Sequence, residues 1–117
     1  MNNKNGRVFV IEEPVRRDSH TGEFVPKFDL APAREFGELV YILRGGEDRG
    51  EACQILEDAF DNFTEGDFIL PVGDPVWIAV AGALAALATG GVVRYLVWSR
   101  REEAYSLIIT DISHRIN

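Results

Sequence analysis

The run DFILPVGDPVWIAVAGALAALATGGVVRYLVW, Asp67 to Trp98, decides how the rest of the chain is read. It opens with a short apolar segment and turns at Gly73-Asp74-Pro75. A stretch almost without polar side chains follows, stops at Gly90-Gly91, and gives way to a second apolar segment. Asp before Pro suits the cap and first position of a helix, and Gly closes a helix because it readily takes the left-handed backbone. The run therefore predicts strand, helix, strand, with the helix over Pro75 to Thr89 as the most buried element of the chain. No charged residue stands between Asp74 and Arg94. Even so, a helix over Pro75 to Thr89 is about 22 Å long at about 1.5 Å per residue, short of a hydrocarbon core of about 30 Å, and it reads as a core helix.

Around this helix the side chains sort by size. At about 100° per residue Trp77, Val80, Leu84 and Leu87 share one face, which is expected to lie on the sheet. Ala79, Gly82, Ala85, Ala86 and Thr89 fall opposite, with Ile78 among them. That small face lacks the Lys and Glu of a solvated surface, and the spacing of Ala79 with Ala83 and of Gly82 with Ala86 permits close backbone approach. Its cover is either the other helix of the chain or the same helix of a second subunit. Small residues that tolerate partial exposure are the plain alternative.

Outward from this unit, Glu38 to Leu43 is nearly continuous in apolar residues and reads as a strand buried on both faces. Glu51 to Phe63 is an amphipathic helix, with Ala52, Ile55, Leu56, Ala59, Phe60 and Phe63 inward and Glu51, Gln54, Glu57, Asp58, Asp61 and Asn62 outward. Arg7 to Glu12 is β-branched or aromatic and reads as a strand ended by Pro14; with a hairpin around Asp18 to Gly22 it is expected at an edge of the sheet. Asp29 to Phe36 fits a single helical turn. Tyr105 to Ile112 returns antiparallel to Val92 to Trp98 across a polar turn. Two strand, helix, strand crossovers imply a parallel core with right-handed connections. The expected fold is α/β with a mixed sheet of about six strands, a parallel β-α-β-α-β core, an antiparallel C-terminal hairpin and its two helices on one face. The other face needs cover from the N-terminal segment or from a second subunit. All 117 residues make one domain, with residues 1–6 as a frayed tail.

The composition limits function. A formal net charge of -7 disfavours nonspecific binding to nucleic acid and to anionic membranes. The single cysteine, Cys53, excludes an internal disulfide and a cysteine zinc site, and it fits a reducing, cytoplasmic setting. Nothing basic stands next to it in sequence, so it reads as a small buried hydrophobe. His20 and His114 lack metal-ligand spacing, and the nucleotide-binding glycine motifs are absent. The sequence implies no metal, no cofactor and no catalytic residue.

Two surfaces remain. The corner Gly73-Asp74 stands at the carboxyl end of a strand and the amino end of a helix, where α/β proteins bind ligands, and Arg44-Gly45 at the neighbouring strand end is expected to border the same crevice. Asp74 is equally an ordinary helix cap whose carboxylate would repel an anion. The corner is common to α/β proteins and singles out no family. Arg16, Arg17, His20 and Lys27 form a small basic group that reads more simply as a solvated edge. The preferred reading is an acidic interaction or regulatory protein, a homodimer acting through protein contacts. Its expected surfaces are Glu51, Glu57, Asp58 and Asp61 on one helix and Ala79, Gly82 and Ala86 on the other. One version is an inhibitor whose acidic face imitates nucleic-acid phosphates. The alternative is a binder of a small anionic ligand, or an enzyme, using the crevice of Arg44, Gly45, Gly73 and Asp74.

Overall fold

The structure, a computed structural model, describes residues 6–27 and 29–116. The expected tail over residues 1–6 lies, apart from Gly6, outside the described residues. The chain forms β1 (Arg7–Glu12), β2 (Val15–Arg17), β3 (Phe24–Pro26), a 3-10 helix (Ala31–Glu35), β4 (Glu38–Leu43), α1 (Arg49–Phe60), β5 (Phe68–Leu70), α2 (Pro75–Thr89), β6 (Val92–Ser99), β7 (Ala104–Asp111) and α3 (Ser113–Ile116). The main sheet has the order β4-β1-β5-β6-β7. Its first four strands run parallel and β7 runs antiparallel to β6. The α/β class, the parallel core and the C-terminal hairpin are as the sequence implies.

The N-terminal strand departs from expectation. It does not sit at an edge: β1 is inserted between β4 and β5, pairing Val8 with Leu39 on one side and with Phe68 on the other. The physical reason is its unbroken run of Val8, Phe9, Val10 and Ile11, all buried, since a strand covered on both faces has no polar side to show. β4, expected to be interior, takes the edge, and its Tyr41 is exposed. The β2–β3 hairpin forms a separate two-stranded sheet instead of extending the main one.

Both helices lie on one face, as expected. There Phe9 of β1 stacks 5.1 Å from both Phe60 and Phe63, beside Leu56, Ile69, Ala81 and Ala85. The opposite face is covered from within the chain, by Leu30 and Ala33 of the 3-10 segment over Val8, Val10, Leu70 and Leu96.

Helix α2 is rotated about its axis relative to the expectation. Ala81, Ala85 and Ala86 are buried, and a methyl group added at Gly82 would stand 2.9 Å from the Tyr95 hydroxyl of β6. Trp77, Val80 and Leu84 are half-buried at the flank, and Leu87 is 71% exposed. Small side chains let the helix axis approach the sheet and α1 closely, so Ala81, Ala85 and Ala86 enter the core while Trp77, Val80 and Leu84 pack along its margin and Leu87 stays outside. α2 is therefore not the most buried element: every residue of β5 and the run Val8 to Ile11 of β1 are buried, against only Ala81, Ala85 and Ala86 of α2.

The start of β1 is fixed by Asp67, the one buried charged residue among those described. Its Oδ1 accepts from the Arg7 backbone N–H at 2.8 Å, and its Oδ2 accepts from Arg7 Nη2 at 3.0 Å and from the Thr64 N–H at 2.9 Å. Burial pushes the Asp67 carboxyl up, but the Arg7 and Thr64 donors together outweigh it and hold it below the ordinary Asp value. A depressed folded-state pKa contributes stability that is present above the unfolded value of about 3.9 and is lost as pH falls through the folded one. Asp67→Ala is expected to cost about 3 kcal/mol in urea denaturation at pH 7, because it strands the Arg7 and Thr64 donors. The wild-type urea midpoint should fall between pH 7 and pH 3, and Asp67→Asn should show a smaller fall.

Candidate functional site

The crevice inferred from sequence exists. Arg44 and Gly45 follow β4, Gly73 and Asp74 precede α2, and all four line an open hollow of about 620 Å³ at the carboxyl ends of the parallel strands. Its centre is a residue the sequence did not single out. Glu12 ends β1, and because β1 lies between β4 and β5 its side chain arrives between the two loops. The Asp74 N–H donates to Glu12 Oε1 at 2.8 Å, and a side chain at Gly73, whose φ is +121°, would collide with the Glu12 Cβ. Asp74 caps α2 by accepting from the Val76 N–H at 2.8 Å. Glu47 accepts from the N–H groups of Arg44 and Gly45 at 2.8 and 2.9 Å, and these bonds, the Arg44 one foremost, hold its carboxyl below the usual range. The backbone donors an anionic ligand would use are thus engaged by the chain's own carboxylates.

On α1 the side chains of Glu51, Glu57, Asp58 and Asp61 are exposed in one layer, with Asp48 capping the helix by accepting from the Glu51 N–H at 2.8 Å. Arg49 is the one base between residues 45 and 93, so the helix layer is strongly acidic. The small-residue surface of α2 does not hold together as a contact face. Ala79 is exposed, but Gly82 is half-buried against Tyr95 and Ala86 is buried in the protein's own core. Close packing against the sheet takes up Gly82 and Ala86 and leaves Ala79 outside.

The unpartnered apolar surface lies instead on the β6–β7 hairpin. Two helices on a five-stranded sheet reach β4, β1, β5 and β6, and β7 is left beyond them. Val97, Trp98, Leu107, Ile108, Ile109 and Ile112 are all exposed, Ile109 at 58%. Trp98 meets Tyr105 edge to face at 5.1 Å. Together they wall an apolar cleft of about 590 Å³, floored by Leu70, Pro71 and Leu96 and bordered by Asp29 and Arg100. Burial raises the pKa of the Tyr105 hydroxyl, and the nearby Asp29 charge adds to the rise. The alternation of Tyr105, Leu107 and Ile109 against Ser106, Ile108 and Thr110 was visible in the sequence. Its exposure was not, because strand order alone decides which strand is last.

Among the described residues no group of three or more His, Cys, Asp or Glu is placed to hold a metal ion. No helix among them is long and apolar enough to cross a membrane. Fold and surface define a small mixed α/β domain with an acidic helix layer at one side and an open, apolar strand edge at the other. Its sequence matches the family model described as Phage Pam3 gp32-like protein over residues 6–112, and the chain belongs to that family. Comparison with curated proteins and with solved structures finds no match. Glu12→Ala should cost about 1–2 kcal/mol in urea denaturation by leaving the Asp74 N–H without its acceptor. The Asp74 amide should then exchange faster with deuterium than in the wild type.

Proposed function

We propose that this phage-family protein is an interaction protein, acting by contact with other protein surfaces, and that the β6–β7 hairpin is the contacting element. The observation that carries this reading is the exposure of Leu107, Ile108 and Ile109 in succession on β7, a strand with no outer neighbour, with Val97 and Trp98 exposed beside them on β6. Single exposed apolar residues are ordinary on a protein surface, but a contiguous group of this kind marks a contact site. Trp and Tyr beside an Arg are also the side chains that dominate binding energy at such sites.

The acidic layer of α1 supports a second reading, an imitation of nucleic-acid phosphate. Asp48, Glu51, Glu57, Asp58, Asp61 and Glu65 are exposed along one helix and its exit, without an intervening Lys. A partner held this way is basic, and its binding weakens steeply with salt. A partner held by the hairpin is nearly indifferent to salt.

The test is affinity capture from phage-infected host cells with the wild type, with Ile109→Asp and with Glu57→Lys/Asp61→Lys, each folded by circular dichroism. Loss of a captured protein with Ile109→Asp alone, retained at about 0.5 M salt, is the expected result. Loss only with the α1 variant moves the contact to the acidic face, and capture unaffected by either variant removes both surfaces.

A further inference from the structure

Strand β7 is eight residues long and pairs with β6 from Val92 opposite Asp111 to Ser99 opposite Ala104 without a skipped position. It therefore has no bulge to bend its outer side away. It also carries neither Lys nor Pro, the usual guards of an open edge. In an antiparallel ladder every second residue turns its N–H and C=O away from the existing neighbour, and on β7 those groups meet no further strand. We infer that a second copy of this chain occupies this edge, antiparallel across a two-fold axis, so that two five-stranded sheets become one ten-stranded sheet. The inference rests on the hairpin being the contact element and names its first partner.

Self-complementarity selects a second copy over a foreign strand. A two-fold axis perpendicular to the sheet keeps each face on its own side, so facing residues must come from the same face. Leu107 and Ile109 stand opposite Leu96 and Arg94, on the face of the 3-10 helix, while Ser106, Ile108 and Thr110 stand opposite Val97, Tyr95 and Val93, on the face of α1 and α2. Centring the axis on Ile108 places Ile108 against its own copy, Leu107 against Ile109, Ser106 against Thr110 and Tyr105 against Asp111. The first three are apolar or hydroxyl pairs, which are favourable across strands, and the fourth sets no like charges together. Moving the centre to Leu107 sets Asp111 against Glu103, carboxylate on carboxylate, which disfavours that register.

Charge points the same way. The chain carries -7, but residues 104–110 are uncharged and the loop Arg100-Arg101-Glu102-Glu103 is balanced. Two copies meeting here bring together the part of the surface that adds nothing to their mutual repulsion. A contact of one strand and its flanks falls below the usual area of about 800 Å² per partner, so dissociation in the micromolar range is expected.

Light scattering after size exclusion, from about 1 to about 200 µM, should show a monomer becoming a dimer. Ile109→Lys should hold the protein monomeric with an unchanged circular dichroism spectrum. In a Cys53→Ser background, Ile108→Cys should form an intermolecular disulfide under mild oxidation, because facing Cβ atoms are about 5 Å apart. Leu107→Cys should cross-link at least about tenfold more slowly, since in this register it faces Ile109. A monomer at the highest concentration, a dimer that survives Ile109→Lys, or equal cross-linking at both positions would overturn the inference. A persistent monomer whose capture of another protein is still lost with Ile109→Asp would overturn the second copy alone and leave the hairpin as the contact element.

Discussion

The structure depends on the hold that Asp67 has on Arg7. A carboxylate just before β5 binds both the backbone and the guanidinium of the first residue of β1, and the pairing of Val8 with Phe68 follows directly from it. Because β1 is apolar on both faces, a slip of one position would cost the sheet its match to both cores, and a parallel strand without a hairpin turn has no local device to set its register. The ion pair supplies that device. Its neighbourhood is built for close approach: a side chain at Gly6 would strike the Gly66 carbonyl, and one at Gly37 would strike the Gly6 carbonyl. The three strands β4, β1 and β5 thus begin together at a seam where glycine is required by contact distance.

Much of the fold was legible. The Gly73-Asp74-Pro75 corner and the Gly90-Gly91 stop bound α2 where they should, and Gly90 takes the left-handed backbone at φ 80°. Period and apolarity identified every strand of the main sheet. Strand order was not legible, because a parallel strand is joined to its neighbours by no turn signal, and the consecutive apolar run of Val8 to Ile11 was the one hint that β1 is interior. The face that α2 buries was not legible for a related reason. Size sorting around a helix shows that two faces differ, but the rule that larger residues go inward fails where the helix must approach a Tyr95 hydroxyl and a second helix closely.

The candidate site followed the same division. Arg44, Gly45, Gly73 and Asp74 were brought together because strand ends in parallel sheets converge, which is a property of the fold class. Glu12, the carboxylate that occupies their centre, was invisible until β1 had its place. The exposed hairpin depended on knowing that β7 comes last and that only two helices are available to cover five strands.

The insertion of β1 also has a consequence for biosynthesis. The strand leaves the ribosome before both of its neighbours, residues 38–43 and 68–70, have been made. For that interval the apolar run Val8 to Ile11 is without its native partners, and no local hairpin can shelter it. The native sheet is thus closed by long-range pairings, which delays its formation until residues 68–70 have emerged.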